Sequence, residues 1–124
     1  MKTVSTTNAP AAIGPYSQAQ ITGNFIITSG QLGIDPATGA MPSELEAQCH
    51  QSFQNVSAVL AEAGSSLEKT VKTTLFITDM VNFPVVNEIY AQYFSEPFPA
   101  RSCVEVSALP KGGLIECEVI AELS

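Results

Sequence analysis

Charge is scarce in this chain. Asp, Glu, Lys and Arg make up 14% of its 124 residues, against about a quarter in an ordinary globular protein. The apolar share, 45%, is ordinary, so too little charge is present to dress a whole monomer surface, which hints at an oligomer. Basic groups are scarcest, five against twelve acidic ones, for a net charge of −7. With no Lys/Arg cluster to neutralise phosphates, nucleic acid and anionic membrane are not expected as main partners, whereas an anionic small molecule at one local positive site remains open. Tryptophan is absent and histidine occurs once, at His50. A single imidazole argues against His-based metal sites and against Ser-His-Asp or Cys-His catalysis within one chain, and His50 is read as a packing or helix-surface residue. The three cysteines, Cys49, Cys103 and Cys117, are odd in number and lack a C-x-x-C pair, which fits neither a disulfide framework nor a zinc knuckle and suggests a reducing, cytoplasmic setting. No apolar run approaches the ~20 residues of a membrane span, and the N-terminus has no signal-peptide hydrophobic region. Residues 1–124 are expected to form one domain with a core that needs no metal or disulfide.

Arginine also occurs once, in Phe98-Pro99-Ala100-Arg101-Ser102-Cys103-Val104-Glu105-Val106. Pro97 and Pro99 hold the approach extended, so Arg101 enters a β-pattern from a stiffened segment. Alternation sends Arg101, Cys103 and Glu105 to one strand face, and Ser102, Val104 and Val106 to a second face that reads as core. A guanidinium matches a carboxylate in two parallel hydrogen bonds, which suits Arg101 to anchor an anion. A structural ion pair with Glu105 or Glu116 is the alternative.

Along the chain, residues 8–17 are too rich in Pro and Gly for regular structure and too apolar for a loose tail, so they form a packed arm. Tyr16 in it is either core, the commoner fate, or a pocket hydroxyl. Gln18 to Ile21 and Phe25 to Ser29 flank Thr22-Gly23-Asn24 as a β-hairpin. Ser43 and Glu46 form a capping box for a helix carrying Leu45, Cys49, Phe53, Val56, Val59, Leu60 and Ala63 on one stripe up to Gly64. Val71 to Ile77 is β-branched and alternating, a central strand. A second helix starts at Asn82 or Phe83, with Pro84 in its first turn, and runs to Phe94 before Pro97. Strands from Arg101 to Val106 and Leu114 to Leu123 flank the turn Leu109 to Gly113. The order β-β-α-β-α-β-β implies an α+β domain with both helices on one face of a mixed sheet. The uncovered face is expected to carry Arg101, Cys103 and Glu105 beside Glu116, Glu118 and Ile120 from a neighbouring strand, a composition suited to a subunit interface that houses a polar pocket.

These residues carry a pattern. Asn8-Ala9-Pro10, Gly14-Pro15-Tyr16-Ser17-Gln18, Ser29-Gly30-Gln31-Leu32-Gly33, Pro99-Ala100-Arg101-Ser102-Cys103-Val104-Glu105-Val106, Leu109-Pro110 and Ile115-Glu116 resemble the RidA (YjgF) reactive intermediate deaminases, over essentially the whole chain. The resemblance implies a chorismate-mutase-like fold, a homotrimer with three active sites between subunits, no cofactor, and hydrolysis of 2-imino acids such as 2-iminobutanoate and 2-iminopropanoate to 2-keto acids and ammonia. By position it implies that Arg101 holds the substrate carboxylate, that Glu116 orients or activates water, and that Tyr16, Ser29, Gly30, Asn87 and the backbone of Cys103 shape the pocket. It leaves the direction of any Glu116 pKa shift open. Two further readings are a non-catalytic trimer that binds a small carboxylate or acts as a redox-responsive chaperone, and a nuclease.

Overall fold

A computed structural model describes residues 1–124. Alternating apolar runs become the strands β1 (Lys2–Val4), β2 (Ala19–Thr22), β3 (Phe25–Thr28), β4 (Gln31–Leu32), β5 (Thr70–Ile77), β6 (Ala100–Glu105) and β7 (Ile115–Glu122), with helices α1 (Leu45–Glu62) and α2 (Phe83–Tyr90). All strands join one mixed sheet in the order β1-β2-β3-β7-β5-β6, with β4 pairing further along β7. Gly23, at φ +57°, makes the tight β2–β3 turn.

The expectation that β6 and β7 are neighbouring strands does not hold. β5, α2 and β6 form a strand-helix-strand crossover, which returns β6 parallel to β5. β7 then inserts between β3 and β5, antiparallel to both. The face assignment changes with it. Thr73, Leu75 and Ile77 of β5 face the helices and are buried, and they are in register with Arg101, Cys103 and Glu105. Those three residues therefore belong to the helix side. Glu116, Glu118 and Ile120 lie in register with Phe76, Thr74 and Lys72, on the uncovered side. Ser102 and Val104, read as core, also point to the uncovered side and are exposed. Because β6 is an edge strand, its side chains are reached by solvent on either face.

The core sits between the helices and the sheet. Cys49, Phe53, Val56, Val59 and Leu60 of α1 are fully buried against Leu75, Ile115 and Cys117. The helix begins at Leu45 with Glu44 as its cap residue, and no side chain caps it, so the Ser43–Glu46 capping box does not form. Gln48 fixes this end instead, donating to the Pro42 carbonyl at 2.7 Å and accepting from the Leu114 amide at 2.8 Å. α2 ends at Tyr90, earlier than expected, and tighter turns carry the chain to Phe94. The aromatic side survives this change, since Tyr90, Tyr93 and Phe94 all pack around the Phe53 ring.

A buried polar line on α1 holds the irregular segment after β4. Ser52 donates to the Gln31 carbonyl, and Asn55 donates to the Leu32 and Ile34 carbonyls. This brings Gly33 against α1, where a Cβ would lie 2.5 Å from the Gln48 carbonyl oxygen. Backbone cannot yield as a flexible side chain can, so Gly33→Ala is expected to destabilise the fold by about 1–3 kcal/mol, read as a lower urea midpoint with unchanged slope.

Candidate active site

Arg101 leaves the edge strand β6 and lies across α2. Its Nη1 donates to the Asn87 Oδ1 at 2.7 Å, and its guanidinium carbon sits 4.7 Å from the Tyr90 ring centroid and 5.3 Å from that of Phe83. These partners are neutral. The ion-pair alternative finds no support: Glu105 accepts instead from the Met80 amide at 2.7 Å, and Glu116 points to the opposite side of the sheet. The guanidinium opens on a cleft of about 430 Å³ lined by Asn87, Tyr90, Ala91, Phe98, Pro99 and Arg101. The cleft thus combines one cation with two aromatic rings, an arrangement that can receive a small organic anion.

Glu116 occupies the other face. Its side chain is half-buried, and loss of solvent, reinforced by the neighbouring Glu118 carboxylate, raises its pKa above the ordinary carboxylate range. Within one chain the direction left open by the sequence is therefore upward, Arg101 of the same chain lying across the sheet. Gly30, between β3 and β4, touches this carboxyl: a Cβ there would lie 2.6 Å from Glu116 Cδ. The contact is with the far end of a flexible side chain, so the chain can absorb it by moving the carboxyl. Gly30→Ala is accordingly expected to keep a Tm within about 3 °C of wild type, with turnover reduced about 10-fold or more by misplacement of the carboxyl. A melt and a rate assay on the same sample check both.

Ser29 stands beside Gly30, its Oγ donating to the Ser17 carbonyl at 2.5 Å. Tyr16 is 51% exposed, so the commoner core reading is overturned, and its ring lies at the surface of the arm two residues after Gly14. Gln18 anchors that arm, accepting from the Thr6 amide and donating to the Thr6 and Pro10 carbonyls. Cys103 is half-buried on the helix side, and burial raises its thiol pKa although Arg101 pulls it down. A thiol kept protonated is a poor nucleophile. Cys49 is pushed up to about 12 by burial, and Cys117 is raised by the same cause. His50 meets the Tyr93 hydroxyl through Nδ1 at 2.7 Å, in keeping with a packing role.

Within one chain, then, the structure brings Arg101 and Asn87 together at one site, and Ser29, Gly30 and Glu116 at another. Phe83, Tyr90 and Phe98 escaped the sequence reading of the site. The spacing of residues 83, 87 and 90 places them on one α2 face and was the available signal.

Comparison with known proteins bears on what these two clusters are. The family model described as Endoribonuclease L-PSP matches residues 6–123. The 2-iminobutanoate/2-iminopropanoate deaminase of Escherichia coli K12 is 51% identical over 123 residues, covering 97% of this chain and 96% of that protein. Among solved structures, RidA from the Antarctic bacterium Psychrobacter sp. PAMC 21119 is 46% identical with a TM-score of 0.96, covering 98% and 99% of the two chains. E. coli TdcF with bound serine is 42% identical with a TM-score of 0.95, covering both chains fully. Family match, identity and shared fold extend over nearly the whole chain, and the protein belongs to the Endoribonuclease L-PSP family, the family of RidA and YjgF.

Proposed function

We propose that the protein is a hydrolytic deaminase that converts 2-imino acids such as 2-iminobutanoate and 2-iminopropanoate to 2-keto acids and ammonia. The observation that carries this reading is the guanidinium of Arg101 held at a cleft by neutral groups, together with 51% identity to a protein of that activity. The substrate supplies a carboxylate and, when protonated, an electrophilic iminium carbon. Arg101 binds the carboxylate through paired hydrogen bonds. Glu116, ionised but with a raised pKa, accepts a proton as water oxygen attacks the iminium carbon. It returns that proton to nitrogen, and as the carbon–nitrogen bond breaks and ammonia leaves, Glu116 takes the hydroxyl proton so that the carbon–oxygen double bond of the keto acid forms; that proton then passes to ammonia or solvent. No covalent nucleophile is required, which accords with the protonated Cys103.

Arg101 and Glu116 project from opposite faces of one subunit's sheet, so the active site needs two chains. We assign Arg101, Asn87 and the Cys103 backbone to one subunit, and Glu116, Ser29, Gly30 and Tyr16 to its neighbour, in a homotrimer of chorismate-mutase-like subunits. The uncovered sheet face supports this assembly, since the exposed Ile27 and Val104 and the half-buried Phe76 and Ile120 share it with Glu116 and Glu118. Three free cysteines fit a reducing, cytoplasmic setting, and no helix is long and apolar enough to cross a membrane. The family's endoribonuclease description finds little support in a chain of net charge −7 with one arginine.

The test generates 2-iminobutanoate in the cuvette with threonine dehydratase in the presence of semicarbazide. Suppression of semicarbazone formation by the protein is the expected result. No suppression at high protein concentration would overturn the deaminase reading, and a monomer in light scattering would overturn the two-chain site.

A further inference from the structure

Phe83, Asn87 and Tyr90 recur at steps of four and three residues, which aligns them along one face of α2. All three meet Arg101, Asn87 through a 2.7 Å hydrogen bond and the rings at 5.3 and 4.7 Å from the guanidinium carbon. Tyr90 is itself immobilised. It is 5% exposed, its hydroxyl lies 2.9 Å from Thr73 Oγ1, and its ring stacks on Phe94 with centroids 4.4 Å apart. Thr73 is fully buried and is the β5 residue in register with Arg101. The support and the supported residue thus start from paired positions on adjacent strands.

We propose that Tyr90 and Asn87 are positioning residues that preset the Arg101 guanidinium for a substrate carboxylate. This inference rests on the deaminase reading. A carboxylate partner would also fix Arg101, but it would cancel the charge and compete with the incoming anion. An aromatic face and an amide oxygen orient the fork while leaving its full charge for the ligand. Asn87 occupies Nη1, so the remaining donors are the ones available to substrate.

The experiment compares Tyr90→Leu, Tyr90→Phe, Asn87→Ala and Arg101→Ala by steady-state imine hydrolysis, by calorimetric titration with 2-ketobutanoate, and by thermal melts. Tyr90→Leu, which removes the π-face, is expected to raise KM about 3- to 30-fold with a much smaller change in kcat, and to weaken 2-ketobutanoate binding by a similar factor. Tyr90→Phe keeps the face and is expected to restore most of the KM even where its Tm falls from loss of the Thr73 contact. A folded Tyr90→Leu variant with wild-type KM, or a Tyr90→Phe variant as impaired as Tyr90→Leu, would overturn the proposal. If Tyr90→Leu does not fold, exposed Asn87 decides: a raised KM in Asn87→Ala supports preorganisation and an unchanged KM overturns it. Full activity in Arg101→Ala would instead overturn the anion-anchor reading itself, a result separable from any outcome at Tyr90.

Discussion

Replacing Arg101 with alanine is expected to lower kcat/KM for 2-iminobutanoate hydrolysis by about 10²- to 10⁴-fold. Two charge-assisted hydrogen bonds to the substrate carboxylate, each contributing about 1.5–3 kcal/mol, account for a loss of this size. Neither the core nor the backbone supplies a reason for the fold to fail. Arg101 is exposed, sits on an edge strand and has no ion-pair partner among the acidic groups nearest to it, Glu105 being engaged with Met80. Removal leaves no buried charge uncompensated, so the Tm is expected to stay within about 3 °C of wild type. Arg101→Lys retains the charge but not the planar fork. It is expected to recover only part of the loss, since a point charge cannot reproduce paired recognition or lie flat on Tyr90. The assay is the semicarbazide competition with a melt run alongside, and an active, folded Arg101→Ala variant would remove the anchor from the account.

Glu116→Gln is the second large effect, about 10²- to 10⁴-fold in kcat, the range for loss of acid–base assistance. Its pH signature distinguishes it from a structural change. Burial and Glu118 raise the Glu116 pKa, and the ionised form is the one that accepts a proton from water. Wild-type activity should therefore rise with pH through a midpoint above the ordinary carboxylate range, and this limb should vanish in the variant. Stability should move the other way. A carboxyl whose pKa is higher in the folded state favours folding when protonated, so its contribution is complete below the unfolded-state pKa and is lost as pH rises through the folded-state value. At neutral pH the charge sits where water has been partly removed, and Glu116→Gln relieves it. The variant is expected to melt at or above the wild-type temperature at neutral pH, with the difference closing below about pH 4. A variant that is both inactive and strongly destabilised would indicate a structural carboxylate instead.

Much of the fold was legible in the sequence because its signals are local. The three- and four-residue recurrence from Leu45 to Leu60 specifies α1, Gly23 specifies the hairpin turn, and alternation in residues 71–77 specifies β5. Sheet order was not legible. The insertion of β7 between β3 and β5 depends on pairing between distant segments, and no periodicity within β7 encodes its neighbours. The same limit produced the error at the site. Alternation correctly grouped Arg101 with Cys103 and Glu105, and Glu116 with Glu118. It could not say which face of the sheet each group takes, because both strands obey period two whichever way they are turned. The capping box at Ser43 failed for a related reason: a tertiary partner, Gln48, holds the start of α1 through Pro42 and Leu114. Asn87 was placed at the pocket by resemblance alone, and the structure adds what it touches.

The separation of Arg101 and Glu116 onto opposite faces makes the two-chain site the central claim, and complementation tests it most directly. Arg101→Ala and Glu116→Gln chains would be co-expressed, mixed trimers isolated by two affinity tags, and imine hydrolysis measured against each homotrimeric variant. A site built from Arg101 of one chain and Glu116 of its neighbour regains both groups at one interface in three of every mixed trimer, so about a third of wild-type activity should appear. Mixed trimers as inactive as their parents would contradict the account, because they would place both groups in the same chain's site.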